Sequence, residues 1–127
     1  YAVCTGTGIG GGTPIDTDGM FYVNSTTSFA DLLDGSSNTA MISESILGTS
    51  QTNNRDPRLS YRFQFVVPLT ENNCNRALLW NFADPRGFSW VNGEYRCGLY
   101  NHAILPNSAT PDCISVVLGG DPDTRFT

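Results

Sequence analysis
The sequence predicts a mainly β domain with one short helix and long loops. Three observations carry that expectation. No stretch keeps a helical apolar period for more than two turns. Short runs rich in aromatic and β-branched residues recur instead, the strongest being "LSYRFQFVVPL" at 59–69. Between them lie Gly-, Pro-, Asn- and Ser-rich stretches, with 13 Gly and 7 Pro in the chain, and these residues favour turns. The length of 127 residues suits one domain with one modest core, so 1–127 is read as a single β-rich unit.

Taken in order, the chain starts with a short apolar segment and a glycine-rich loop ending in "TPIDTDG". "MFYV" (20–23) is aromatic-rich and reads as a short strand. Ser28 to Asp31 has the S-x-x-D form of a capping box, so "SFADLLDG" reads as one or two helical turns closed by Gly35. "TAMISESIL" (39–47) reads as a strand that puts Ala40, Ile42 and Ile46 on one face, with Glu44 intruding. After the polar loop 48–58, the strand at 59–69 lines Tyr61, Phe63, Phe65 and Val67 on one face and ends near Pro68. "RALLWNF" (76–82) fits a strand or a helix. Asn92-Gly93 is a preferred two-residue hairpin turn, which makes 88–97 a β-hairpin. A loop follows at 100–113, and "ISVVLGG" (114–120) is a last short strand.

Charged residues make up 15% of the chain, against about 25% in typical soluble domains, so small neutral residues build the polar surface. A net charge of −5, with seven scattered Arg and no Lys, excludes the clustered cations that nucleic acid requires. The four cysteines, Cys4, Cys74, Cys97 and Cys113, form no C-x-x-C pair, and His102 is the only histidine, which leaves few zinc ligands. An even count at wide spacing reads as two disulfides in one of three connectivities, and as an oxidising, extracellular location. Asn24-Ser25-Thr26 is a glycosylation sequon that points the same way. No segment reaches the ~18 apolar residues of a membrane helix. With neither a signal peptide nor an initiator Met, the chain reads as a processed or partial piece of a longer one.

Two blocks are more specific. In "DGMFYVNSTTSFADLLDGSSNTAMISES" (18–45), Asp18, Gly19, Phe21, Asn24, Ser25, Phe29, Ala30, Asp31, Asp34, Gly35, Ser37, Asn38, Thr39 and Glu44 follow the order D-G-x-F-x-x-N-S, F-A-D-x-x-D-G-x-S-N-T, then a strand reaching Glu. In "YNHAILPNSATPDC" (100–113), Tyr100, Asn101, His102, Pro106, Asn107, Ser108 and Cys113 follow Y-N-H-x-x-x-P-N-S and a closing Cys. Both blocks resemble the central globular region of a planctomycete-rich family of secreted type IV pilin-like, or pseudopilin-like, proteins. That family's hallmarks are a prepilin leader and a C-terminal His…Asp-Gly motif, both outside this chain. The resemblance implies a pilin-like β-rich fold, export to the cell surface, and a structural part in a filament. Any membrane contact would be made by segments absent from this chain.

The residues of the first block read as a structural corner. Gly35 is free to take positive φ after Asp34, while Ser36, Ser37 and Asn38 lie where side chains can satisfy a turning backbone. Gly6, Gly8 and Gly11 match the spacing G-x-G-x-x-G, but Gly12 and Pro14 oppose the helix that a dinucleotide site needs, so nucleotide binding is not expected. His102 has no G-x-S-x-G elbow beside it and reads as a loop residue bonding its neighbours rather than a base. Asp16 and Asp18 are the calcium candidates, although position 12 of an EF-hand counted from Asp16 is Thr27, which carries no carboxylate. No other cofactor is expected. Glu44 reads as a buried carboxylate paired with Arg58, Arg62 or another Arg. Together these features lead to a non-catalytic structural subunit whose partners are copies of itself. The alternative is a secreted carbohydrate- or surface-binding module that stacks glycans on Trp80, Trp90 and the tyrosines.

Overall fold
The computed structural model describes residues 1–8, 15, 17–49, 55–65, 69–82, 84–105, 108–115 and 125–126. It is mostly sheet and loop with one short α-helix, as the composition led us to expect. Among the described residues, seven short strands make two sheets. In the first, β1 (Ala2–Cys4) is central, antiparallel to β2 (Ile42–Ser43) and parallel to β5 (Leu99–Tyr100). The second has the order β4-β3-β6-β7, built from β3 (Arg62–Gln64), β4 (Leu79–Trp80), β6 (Cys113–Ser115) and β7 (Arg125–Phe126). There β3 runs parallel to β6 and antiparallel to β4.

The core is small and lies where the sheets meet. Tyr61, Tyr95 and Ile114 are buried together, with Phe63 of β3 and Leu99 of β5 packed against them. Tyr61 faces inward as the alternation of 59–69 led us to expect, but Phe65, expected on the same face, is corrected: the strand ends at Gln64, and Phe65 turns outward to meet Phe63 edge-on at 5.6 Å. The Tyr61 hydroxyl donates to the Asp84 carbonyl at 2.9 Å and accepts from Asn81 Nδ2 at 2.8 Å, so burying the phenol leaves no polar atom unmet. Tyr95 and Thr5 share a buried 2.8 Å hydrogen bond between their hydroxyls, which ties the first sheet to the core. A second cluster holds Leu69 and the Cys74–Cys113 disulfide, which fastens the helix α1 (Glu71–Arg76) to β6 with 5.6 Å between Cα atoms.

Local signals explain some elements and not others. α1 begins with a capping box: Thr70 Oγ1 accepts from Asn73 N, and Asn73 Oδ1 accepts from Thr70 N at 2.9 Å. Glu71 and Arg76 sit at its favourable ends for the helix dipole. Segment 76–82 resolves as both readings, the last helical residue followed by β4. The expected helix at 28–35 is a single 3₁₀ turn, Phe29–Asp31, whose Asp31 carboxylate accepts from the Ser28 amide and hydroxyl at 2.7 Å each. Beyond it the corner forms as expected. Gly35 takes φ +79°, Asn38 Nδ2 donates to the Asp34 carbonyl, and Thr39 Oγ1 donates to the Gly35 carbonyl.

Three expected strands are corrected. "MFYV" turns instead of pairing, because Asn24 takes φ +61° and the Ser25 amide bonds back to the Tyr22 carbonyl. Of 39–47, only Ile42–Ser43 are in the β2 strand, and Ile42, Ile46 and Leu47 are exposed. The hairpin at 88–97 is absent. Glu94 instead gathers the amides of Cys97, Gly98 and Leu99 on its carbonyl, and Gly93 has no positive φ to make the tight turn. The last strand is seen at Cys113–Ser115, and 116–120 lie outside the described residues, as do Val67 and Pro68 of the 59–69 strand.

Candidate functional site
The two signature blocks and the N-terminal strand converge. The parallel ladder of β1 and β5 continues past both strands: the Thr5 amide donates to the Tyr100 carbonyl at 2.9 Å, and the His102 amide to the Gly6 carbonyl at 2.8 Å. On the other flank the Gly19 amide donates to the Thr5 carbonyl at 3.1 Å. A Cβ on Gly19 would lie 2.2 Å from the Thr5 carbonyl carbon, and one on Gly6 would lie 2.5 Å from the Gly19 nitrogen. Two glycines are therefore needed for two backbones to touch here. Asp18 completes the contact by accepting from the Thr7 amide at 2.8 Å and the Thr7 hydroxyl at 2.6 Å.

This engagement accounts for Asp18, the calcium candidate. Partial burial pushes its carboxyl pKa up, but the hydrogen bonds from Thr7 outweigh that and hold it below the usual carboxylate range. Asp16, Pro106 and Asn107 lie outside the described residues. Asn24 is exposed on its turn, a geometry open to a glycan. Asp34, Gly35, Ser37 and Asn38 are all exposed, with Thr39 half-buried, and their bonds serve the corner itself.

Glu44, Asn101 and His102 meet on a cleft of about 430 Å³. Residues 43–46 after β2 form one part of its wall, and Leu99–His102 of β5 and its continuation form another. Arg58, Arg86 and Arg96 also line it. Each arginine is held by acids: Arg58 by Asp56 at 2.6 Å, Arg86 by Asp112 at 2.7 Å, and Arg96 by Asp84 at 2.6 Å and Glu94 at 2.8 Å. Arg96 also lies over the Phe88 ring, 5.3 Å from its centroid. The wall thus mixes paired arginines, the exposed Glu44 carboxylate, hydroxyls and apolar side chains such as Ile46, Leu99 and Ile104.

Glu44 corrects its expectation. It is exposed, and among the described residues the ion pairs of the arginines go to other acids. Arg62, one of its expected partners, instead covers the Trp80 ring at 5.1 Å. The reason is that β2 is too short and too far out to carry Glu44 into the core. His102 is also exposed, and its Nε2 shares a 3.2 Å hydrogen bond with the Tyr100 hydroxyl, the neighbour-bonding role expected of it. Asn101 is buried at 7% exposure, with neither amide atom hydrogen-bonded, and Gly8 lies against it.

The cysteines give one disulfide and two free thiols, Cys4 and Cys97, instead of two disulfides. Register explains the difference. β1 and β5 align Val3 with Leu99 and Cys4 with Tyr100, which sets Cys97 three residues from the Cys4 level. Cys97 itself lies in the turn that precedes β5, so the ladder does not set the two thiols level with each other. Burial pushes the Cys97 thiol pKa up, with Glu94 adding to it, and burial followed by the neighbouring Cys4 pushes the Tyr100 phenol to about 12. These groups are held neutral, which is the opposite of nucleophile activation.

Sequence reasoning missed Tyr95, Asp84, Arg86, Arg96 and Asp112, because charge pairs made across loops leave no spacing to read. A family model described as "Protein of unknown function (DUF1559)" matches residues 4–111, which takes in the first signature block and the second as far as Pro111. No curated protein and no solved structure matches the chain.

Proposed function
The chain belongs to the DUF1559 family of proteins of unknown function, and from that premise we propose that it is a pilin-like, non-catalytic structural subunit of an extracellular filament or surface assembly. The observation that carries this reading is the exposure of large apolar side chains. Among the described residues, Leu33 (97%), Trp90 (96%), Leu78 (85%), Leu105 and Val91 stand in solvent. A free-standing domain leaves single apolar residues outside, but exposure on this scale fits surfaces covered by neighbours. The Cys74–Cys113 disulfide, the exposed sequon and the Lys-free, low-charge composition support an extracellular setting. The unactivated thiol and phenol of the cleft support a non-catalytic role.

Sedimentation velocity of the purified protein over a concentration series, with electron micrographs of the same samples, tests this. Growth of large species with concentration is expected, and a strictly monomeric protein at every concentration overturns it. The binding-module reading is favoured by one observation, Trp90 at the tip of an exposed loop. Its test is calorimetric titration with soluble oligosaccharides against Trp90→Ala, where saturable binding lost in the variant would support it.

A further inference from the structure
We propose that Asn92 is a self-modifying site, where the Gly93 backbone nitrogen attacks the Asn92 side-chain carbonyl and the amide becomes an acid without an enzyme. Asn-Gly and Asp-Gly pairs suit this chemistry because glycine, lacking a Cβ, leaves its nitrogen open to approach. The chain has three: Asp18-Gly19, Asp34-Gly35 and Asn92-Gly93. Their hydrogen bonds tell them apart. The Gly19 amide donates to the Thr5 carbonyl at 3.1 Å, and both Asp18 carboxylate oxygens accept from Thr7. The Gly35 amide donates to the Leu32 carbonyl at 3.0 Å. Both nitrogens are thus turned to an acceptor and held there. The Gly93 amide donates to no acceptor among the described residues. Asn92 and Gly93 are exposed, and a Cβ on Gly93 would meet nothing within 4 Å, so the nitrogen is uncrowded and water reaches it.

The step balances with water as the only co-reactant. Solvent base takes the Gly93 amide proton as the nitrogen bonds to Asn92 Cγ. The bond from Cγ to Nδ2 breaks, ammonia leaves with a proton from solvent, and a five-membered succinimide closes. Water then opens the ring at one carbonyl or the other, giving aspartate or isoaspartate. Nothing is oxidised or reduced; the sum is amide plus water to acid plus ammonia. The product changes its surroundings. Asn92 Nδ2 donates to Glu94 Oε1 in the starting protein, so conversion replaces a donor with a second carboxylate facing the first, and like charges repel. Glu94 keeps Arg96 on its other side at 2.8 Å. The loop that exposes Trp90 and Val91 therefore gains a negative charge with age.

Incubating the dilute protein at mildly alkaline pH, folded and in urea, and mapping its peptides by mass tests this. The folded protein is expected to lose the Asn92 amide at a rate within roughly threefold of the unfolded one, whereas isoaspartate at Asp18 and Asp34 rises roughly tenfold or more on unfolding. Gly93→Ala, whose Cβ has room in the fold, is expected to slow the loss at Asn92 by roughly tenfold. An Asn92 amide that persists in the folded protein while disappearing in urea overturns the proposal, and so does equal loss in Gly93→Ala. Asp18 and Asp34 reacting as fast folded as unfolded overturns the argument from hydrogen bonds that singles out Asn92.

Discussion

Gly19→Ala is the sharpest perturbation of the junction between the N-terminal strand and the first signature block. The new Cβ would sit 2.2 Å from the Thr5 carbonyl carbon and 2.3 Å from the Gly6 nitrogen. Both are backbone atoms of a strand extension that is hydrogen-bonded on its far side to Tyr100 and His102. The two segments must part by roughly 1 Å to reach ordinary contact. That opening breaks the 3.1 Å bond from the Gly19 amide to the Thr5 carbonyl and loosens the two bonds from Thr7 to Asp18. Overpacking costs about 1–3 kcal/mol, and a lost hydrogen bond about 1 kcal/mol. The expected destabilisation is therefore about 3 kcal/mol, or about 10 °C in Tm. Urea unfolding followed by tryptophan fluorescence measures it. Gly93→Ala is the control, since a Cβ there meets nothing within 4 Å. Were Gly19→Ala to unfold within about 0.5 kcal/mol of that control, the close-packing argument would be wrong.

The other predictions concern cysteines, pH and the charge pairs of Arg96 and Arg58. Thiol titration of the unfolded, unreduced protein is expected to find two free cysteines of the four, and none would contradict the register argument. Cys74→Ser with Cys113→Ser opens a 39-residue separation and is expected to remove about 4 kcal/mol on chain entropy, read by urea midpoint. Asp18, Asp31 and Asp56 have folded pKa values below the unfolded range, the last at about 2 through its hydrogen bonds with Arg58, so their stabilisation is present above about pH 4 and lost as pH falls. Tyr61, raised by burial, and Tyr100 both sit at about 12, so stability is expected to fall as pH rises from about 10 towards 12. An acid and alkaline series of urea midpoints checks both limbs, and a flat profile on either side refutes that limb. Arg96→Met leaves Asp84 and Glu94 without their cation and is expected to cost about 1–2 kcal/mol, whereas Arg58→Met at an exposed, solvent-screened pair is expected to lower the midpoint by less and to remove the share of Asp56 in the acid limb.

The corner at Asp34–Thr39 was legible because its chemistry is local: a glycine at positive φ and side chains bonding backbone two to four residues away. The inward turn of Tyr61 and Phe63 was legible from alternation, but that pattern put Phe65 with them, and Phe65 is exposed because the strand ends at Gln64. The same alternation misled at 39–47, because period 2 shows that a segment can pair but not how many residues find a partner. Asn92-Gly93 failed as a hairpin because Glu94 offered the following amides a closer acceptor. α1 was missed because its capping box uses Asn73 where Glu or Gln is the usual signal.

By itself, the sequence determined the fold class, the corner residues at 34–39 and the absence of a long helical period. Those properties depend on neighbours along the chain. Which cysteines bridge, which acids hold Arg58, Arg86 and Arg96, and why Gly6 needs Gly19 were decided only by tertiary structure. Each depends on two segments arriving at one place, and distance in space is not written in spacing along the chain. The glycines at 6 and 8 look like a phosphate loop in one dimension; in three, Gly6 is where one backbone lies against another, and Gly8 lies against Asn101.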